Sequence, residues 1–216
     1  MSAIPTRLFE MVSQEAFHWG AAAAAGYHEP AEGHMDAQWA WLLTTFFDEH
    51  RFDLSNAVDF AAGFGRNTLK LLNAGAGQVT AVDVNPDCIA ALKTKLPSDR
   101  VVVVQNSGAD LSALESGTYT FLYSFDAMVH FDLEIVIAYL PEFARVLRSG
   151  GCALIHHSNY SGNPGGDFRE NPHWRNFMTA GIFKHVAVRS GFEVVEQRIF
   201  AWGEPDIDCI TVMRKM

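Results

Sequence analysis

From Val58 to about Arg214, short apolar runs of strand length alternate with segments whose apolar residues recur at helical spacing. Strands are predicted at 58–60, 80–83, Val101–Val104, Phe121–Asp126, Cys152–His156, Phe192–Phe200 and Ile207–Arg214. Helices are predicted at Asn67–Asn73, Pro86–Leu96, Leu133–Leu147 and about Thr179–Ser190, bounded by Gly75 and Gly77, Pro97, the Gly150-Gly151 pair and Gly191. Strands alternating with helices imply a mostly parallel α/β sheet with helices on both faces. Only six residues, Ala201 to Asp206, join the last two strands. That is too short for a crossover helix, so the final pair is an antiparallel hairpin.

Residues 1–50 precede the first strand. Within them, His34–Asp48 carries Trp39, Leu42, Leu43, Phe46 and Phe47 at amphipathic helical spacing. Such a helix either packs on the sheet edge or forms a lid over a substrate. The expected organisation is a single domain, 1–216, with 1–50 as a helical N-terminal cap or possible lid.

The richest segment is Val58-Asp59-Phe60-Ala61-Ala62-Gly63-Phe64-Gly65-Arg66-Asn67-Thr68, followed by Thr80-Ala81-Val82-Asp83. A strand ending in a glycine turn that opens a helix, with an acid closing the next strand, suits a nucleoside ligand. The glycines admit close backbone approach, and the acid accepts hydrogen bonds from both ribose hydroxyls. The Gly-x-Gly-x-x-Gly of dinucleotide binders is absent. Instead the order is acid-x-small-x-Gly-x-Gly, filled by Asp59, Ala61, Gly63 and Gly65. An alanine at the first small position fits only if its backbone stays at negative φ and the ligand leaves about a methyl's room.

In this spacing the chain resembles the class I S-adenosylmethionine-dependent methyltransferases. The resemblance continues through Gln105-Asn106-Ser107-Gly108-Ala109-Asp110, Phe121–Asp126 and Pro141–Gly151, covering about residues 52–214. It implies a Rossmann-like, mostly parallel seven-stranded sheet with a C-terminal antiparallel hairpin, and S-adenosyl-L-methionine as cofactor. The cofactor residues it implies are Asp59, Ala61, Gly63, Gly65, Asn67, Asp83, Val84, Asn106, Ser107, Gly108, Ser124 and Phe125. The stretch from Ser124 through His130 to His156-His157-Ser158-Asn159, with Ala201-Trp202-Gly203 and Ile207-Asp208-Cys209, also resembles methyltransferases of sugar and polysaccharide biosynthesis.

Composition narrows the partners. The 216 residues are 49% hydrophobic, enough for one substantial core, and the formal net charge is −9. An acidic chain disfavours an extended phosphate-binding surface, so small molecules are expected in place of nucleic acid. No apolar run approaches the ~20 residues that span a bilayer, and no signal-peptide pattern opens the chain, so a cytoplasmic protein without membrane contact is expected. Cys88, Cys152 and Cys209 have no disulfide or zinc spacing.

Methyl transfer to a hydroxyl needs alignment and removal of a proton, which a histidine of ordinary pKa ~6.5 can perform. His130, four residues after Asp126, follows the fourth strand, and His156 and His157 end the fifth. Both are carboxyl ends of parallel strands, where open α/β sheets bind ligands. His130, His156, His157 and Asp126 are therefore the candidate catalytic residues, although adjacent strand residues point to opposite faces, so at most one of the histidine pair can face a site. His28 or His34 joins them if the N-terminal segment folds over the crevice. Tyr160, Asn159, Trp174 and Trp202 are possible acceptor contacts. Asp126, Asp132 and Asn159 could be recruited to a divalent cation, but capping roles are commoner, and no metal is expected. The function expected is O-methylation of a small hydroxylated molecule. An amine or carboxylate acceptor, or a non-catalytic cofactor-binding subunit, remains an alternative.

Overall fold

The structure is a computed structural model that describes residues 6–19, 25–97 and 99–216. Residues 1–5, most of the alanine run and the side chain of His28 lie outside those described. The strands are β1 (Asn56–Phe60), β2 (Gln78–Asp83), β3 (Val101–Gln105), β4 (Tyr119–Ser124), β5 (Leu147–Ser158), β6 (Phe192–Trp202) and β7 (Glu204–Lys215). They form one seven-stranded sheet in the order β3-β2-β1-β4-β5-β7-β6. Strands β1 to β5 pair in parallel, while β7 runs antiparallel between β5 and β6.

The hairpin turn is tighter than the sequence suggests, because Trp202 pairs with Glu204 and Gly203 alone makes the reversal. Gly203 adopts φ 77, and a Cβ there would lie 2.1 Å from His173 Nε2. The left-handed angle and the close approach both require glycine.

Helices cover both faces. On one side lie α1 (Thr6–His18), α6 (Leu133–Val146) and α7 (Ala180–Arg189), contributing Val12, Tyr139, Phe143 and Phe183 to a core over Val58, Phe60 and Ile155. On the other lie α2 (Ala25–Gln38), α3 (Thr44–His50), α4 (Arg66–Asn73) and α5 (Pro86–Lys95), with Met35, Phe46, Leu71 and Leu92 against Ala57, Val79 and Phe121. The caps follow local chemistry: Asn85 accepts from Asp87 N, Asp132 from Glu134 N and Thr179 from Ile182 N.

The helix expected over His34–Asp48 is present and runs on in right-handed helical backbone, with a change of hydrogen-bond spacing at its centre. A five-residue π segment, Trp39–Leu43, lies between α2 and α3, and Thr44 Oγ1 donates to the Trp39 carbonyl inside it. Met35, Leu42, Leu43 and Phe46 of this stretch are buried on the sheet. No described helix is long and apolar enough to cross a membrane.

Candidate active site

Strand order reverses at β1, with β2 on one side and β4 on the other, so a crevice opens beyond their carboxyl ends. The glycine loop leaves β1 there, Asp83 ends β2 and Asp126 follows β4. Gly63 N donates to Asp83 Oδ2 at 2.8 Å and Asn85 N donates to Oδ1 at 2.8 Å. Two amides thus clamp the carboxylate and tie the loop to the neighbouring strand. Burial pushes the Asp83 pKa up, while the Asn85 and Gly63 amides pull it back.

Asp59 has a different position from the one expected. It is buried beneath the loop, off the cleft wall, and accepts a 2.6 Å hydrogen bond from Thr68 Oγ1 that fastens α4 to β1. Burial lifts its pKa to about 7; the Thr68 bond opposes the shift and the Asp83 charge adds to it.

The expectation for Ala61 is overturned, because its φ is +57. A Cβ in left-handed backbone costs about 1–2 kcal/mol. Ala62 N donating to Val82 O, together with the Gly63–Asp83 bond, holds the turn in that shape. Ala61→Gly is expected to relieve the strain. After subtraction of the unfolded-state entropy of glycine, the gain is about 0.5–1 kcal/mol, or roughly 1–4 °C in Tm, readable by thermal denaturation.

One cleft gathers Ala61, Gly63, Asn67, Asp83, Val84, Asn106, Gly108, Phe125, Asp126 and His130. Gly65 is not in its wall: a Cβ there would lie 2.9 Å from Leu92 Cδ2, so this glycine lets α5 pack closely. Ser107 caps its own turn, its Oγ accepting from the amides of Ala109 and Asp110. Ser124 is fully buried in β4. Asn106 Nδ2 donates to Asp110 O and to Tyr139 Oη, which fixes the amide orientation and leaves Oδ1 buried without a partner. A buried acceptor in this wall fits the exocyclic amine of an adenine, as Asp83 fits a ribose diol. The residues present therefore suit S-adenosylmethionine.

The fourth wall comes from α1, through Val12, Glu15 and Ala16, and from Trp19 just past its end. Their i, i+3, i+4, i+7 spacing is one helix face and was the signal available in the sequence. Val12 packs over Gly108, where an added Cβ would lie 2.1 Å from Val12 Cγ1. Asn85 Nδ2 donates to Ala16 O, and Glu15 Oε1 accepts from Asp132 N at 3.0 Å.

Burial raises the Glu15 pKa to about 8, with the Asp132 amide lowering it and the Asp132 charge raising it. Released from the cleft, this group would ionise near its ordinary 4.5. Its contribution to stability is therefore fully present below that value and is lost as pH rises through about 8. Urea unfolding at pH 6 and pH 9 should show a loss on the order of 2–3 kcal/mol from this group, and Glu15→Gln should remove that part of the difference.

His130 lines the cleft and also a second cavity, together with Trp19, His34, Gln38, Asp126, Trp174 and Trp202. Its Nδ1 lies 2.6 Å from the Trp174 carbonyl. A carbonyl only accepts, so Nδ1 carries the proton and Nε2 keeps its lone pair. Its ring packs on Trp19 with centroids 4.4 Å apart. Burial, reinforced by the Arg175 guanidinium, pushes its pKa down to about 4. Asp126, at φ +58, receives Arg66 Nη2 at 2.8 Å.

Neither His156 nor His157 lines the cleft, and both are fully buried. His157 stacks on Phe183 under α7 at 3.9 Å and hydrogen-bonds Thr211 Oγ1. Burial pushes its pKa down to about 3. On the opposite face, His156 stacks on Phe125, accepts from Asp126 N at Nδ1 and meets Asp208 Oδ2 at 2.9 Å through Nε2. These two are held inside the sheet by their partners on α7 and β7. Among the other residues named from the sequence, Asp132 caps α6, and Asn159 joins Ala180 N to Asp206 O. Arg175 carries no motif of its own and emerges only from the fold, as do the partners of Arg66 and Asp208.

Sheet order, glycine loop and clamped acid are those of the class I S-adenosylmethionine-dependent methyltransferase fold. Residues 57–151 match the family model described as a methyltransferase domain. Solved structures share the fold. An S-adenosylmethionine-dependent methyltransferase from Mesorhizobium loti is 15% identical, with TM-score 0.62 over 74% of this chain and 90% of its own. A Pyrococcus horikoshii OT3 protein is 17% identical, with TM-score 0.64 over 84% and 91%. Geranyl diphosphate C-methyltransferase from Streptomyces coelicolor A3(2), solved with Mg2+, geranyl diphosphate and S-adenosyl-L-homocysteine, is 11% identical, with TM-score 0.60 over 75% and 72%. At such identities the likeness is one of fold. No curated protein matches the sequence.

Proposed function

We propose that this methyltransferase acts on a hydroxyl of a small molecule, with His130 as general base. The observation that carries the reading is the His130 hydrogen bond to the Trp174 carbonyl, which leaves an unprotonated nitrogen on a residue shared by the cofactor cleft and the cavity beside it. Bound S-adenosylmethionine supplies an electrophilic methyl group; Asp83 and Asn106 would hold its ribose and adenine. Trp19, Trp174 and Trp202 give the adjoining cavity flat apolar walls against which a ring can lie. His130 Nε2 takes the hydroxyl proton while the walls keep the acceptor oxygen in line.

A sugar, glycan precursor or hydroxylated natural product is the acceptor class this reading favours, with no nucleic acid or membrane partner. The test is transfer of labelled methyl to a panel of sugars, nucleotide sugars, phenols, amines and carboxylates, with the methylated atom identified by NMR. Oxygen ethers as the products support the reading. Exclusive labelling of nitrogen or carboxylate overturns it.

A further inference from the structure

We propose that Arg175 and Asp208, with His156, are positioning residues for His130: they hold the His173-Trp174 segment so that the Trp174 carbonyl fixes the tautomer of the base. This rests on the reading of His130 as the base.

The segment is unusual in its backbone. His173 and Trp174 have φ of 49° and 55°, two consecutive side-chain-bearing residues in the left-handed region. That conformation is disfavoured for any residue with a Cβ and persists only where surrounding contacts impose it. The contacts here converge on Arg175. Its Nε and Nη2 reach Asp208 Oδ1 and Oδ2 at 2.7 and 2.6 Å, a two-pronged pair, and its third nitrogen, Nη1, donates to the His173 carbonyl at 2.9 Å. Asn171 Nδ2 donates to the Arg175 carbonyl at 2.8 Å. The guanidinium thus grips the segment from inside while anchored to a carboxylate on β7.

Asp208 is itself fixed from a second direction. Asp126 N donates to His156 Nδ1 at 3.1 Å, so that nitrogen is unprotonated and Nε2–H donates to Asp208 Oδ2 at 2.9 Å. His156 is therefore neutral, and it joins the turn that begins at Asp126 to the anchor that holds Trp174. The turn ends at His130, whose carbonyl accepts from Asn176 Nδ2 at 3.1 Å. Both sides of the His130–Trp174 hydrogen bond are set by one buried network.

A purely structural ion pair would not need this directionality, because a buried pair adds little net stability over apolar residues of the same size. The donation to the His173 carbonyl, and the tautomer it enforces on His130, are what the fork geometry achieves. A lysine keeps the charge and lacks the fork.

The test uses the whole 216-residue chain. Imidazole nitrogen NMR, with His130 assigned by difference against His130→Gln, is expected to show Nδ1 protonated and Nε2 unprotonated. In Arg175→Lys the His130 signals should become those of mixed tautomers, and kcat should fall about 10- to 100-fold with KM for S-adenosylmethionine changed less than about 3-fold. His156→Leu should lose turnover similarly. His156→Gln, whose amide can accept from Asp126 N and donate to Asp208, should recover at least about 10-fold of that loss.

Wild-type His130 protonated on Nε2 overturns the proposal without any variant, which covers the case in which Arg175→Lys does not fold. A folded Arg175→Lys with unchanged kcat and unchanged ring signals also overturns it. Undiminished turnover in His130→Gln is a separate outcome: it removes His130 as base, while Arg175-dependent ring signals would still establish the positioning.

Discussion

Asp83→Ala is expected to weaken binding of S-adenosylmethionine and its demethylated product by at least about 100-fold. Two effects combine. The carboxylate would accept from both ribose hydroxyls, and hydrogen bonds to a charged group contribute about 1.5–3 kcal/mol each, against about 1.4 kcal/mol per tenfold in affinity. The same carboxylate receives the amides of Gly63 and Asn85, so its removal also unties the glycine loop from β2. Isothermal titration with the demethylated product is the direct measurement, because it needs no acceptor. Binding within a few-fold of wild type would remove Asp83 from the cofactor site.

The second large effect is on turnover. His130→Gln should lower kcat about 10²- to 10⁴-fold, the range of general-base contributions, while cofactor affinity stays within about 3-fold. The amide can still donate to the Trp174 carbonyl, so the variant removes the basic nitrogen and preserves the hydrogen bond. The pH profile follows from burial. The active form of His130 is neutral, and its pKa of about 4 means that a proton blocks the lone pair only as pH falls through that value. The kcat/KM profile should therefore lack an acid limb near pH 6.5, the ordinary position for histidine. A limb centred there would show that His130 is solvated in the working enzyme, or that another group is the base.

The contrast between Ala61 and His156 shows where sequence reasoning stops. The small-residue spacing at 61, 63 and 65 located the loop, since close backbone approach demands small residues wherever the rest of the chain goes. Its backbone angle did not follow, because the hydrogen bonds that hold Ala61 at φ +57 come from β2, twenty residues on. Likewise, the placement of His156 and His157 at the end of β5 was legible, as was their alternation between faces. Their burial depended on α7 and β7, which supply Phe183, Thr211 and Asp208.

The N-terminal segment gives the same lesson. Amphipathic spacing identified a helix in 34–48, and its apolar face does reach the sheet at Met35, Leu42, Leu43 and Phe46. The N-terminal residues that line the cofactor cleft are instead mostly Val12, Glu15 and Ala16 of α1 and Trp19 just past it, with Glu32 of α2. Helical periodicity says that a face is buried and is silent about what it is buried against.

What the amino-acid order determined alone is what depends on local rules: alternating strand and helix periods, the glycine turn, the acid at the end of β2 and the short link that forces an antiparallel hairpin. What only the tertiary structure decided is which polar groups meet. Asp126, His156, Asp208, Arg175, Trp174 and His130 come from four separate stretches of chain, and their network exists because the sheet brings β5 beside β7. Burial then sets the chemistry, because exclusion of water lowers the His130 pKa to about 4 and so keeps the ring neutral well below the ordinary histidine range, while the Trp174 carbonyl satisfies its other nitrogen.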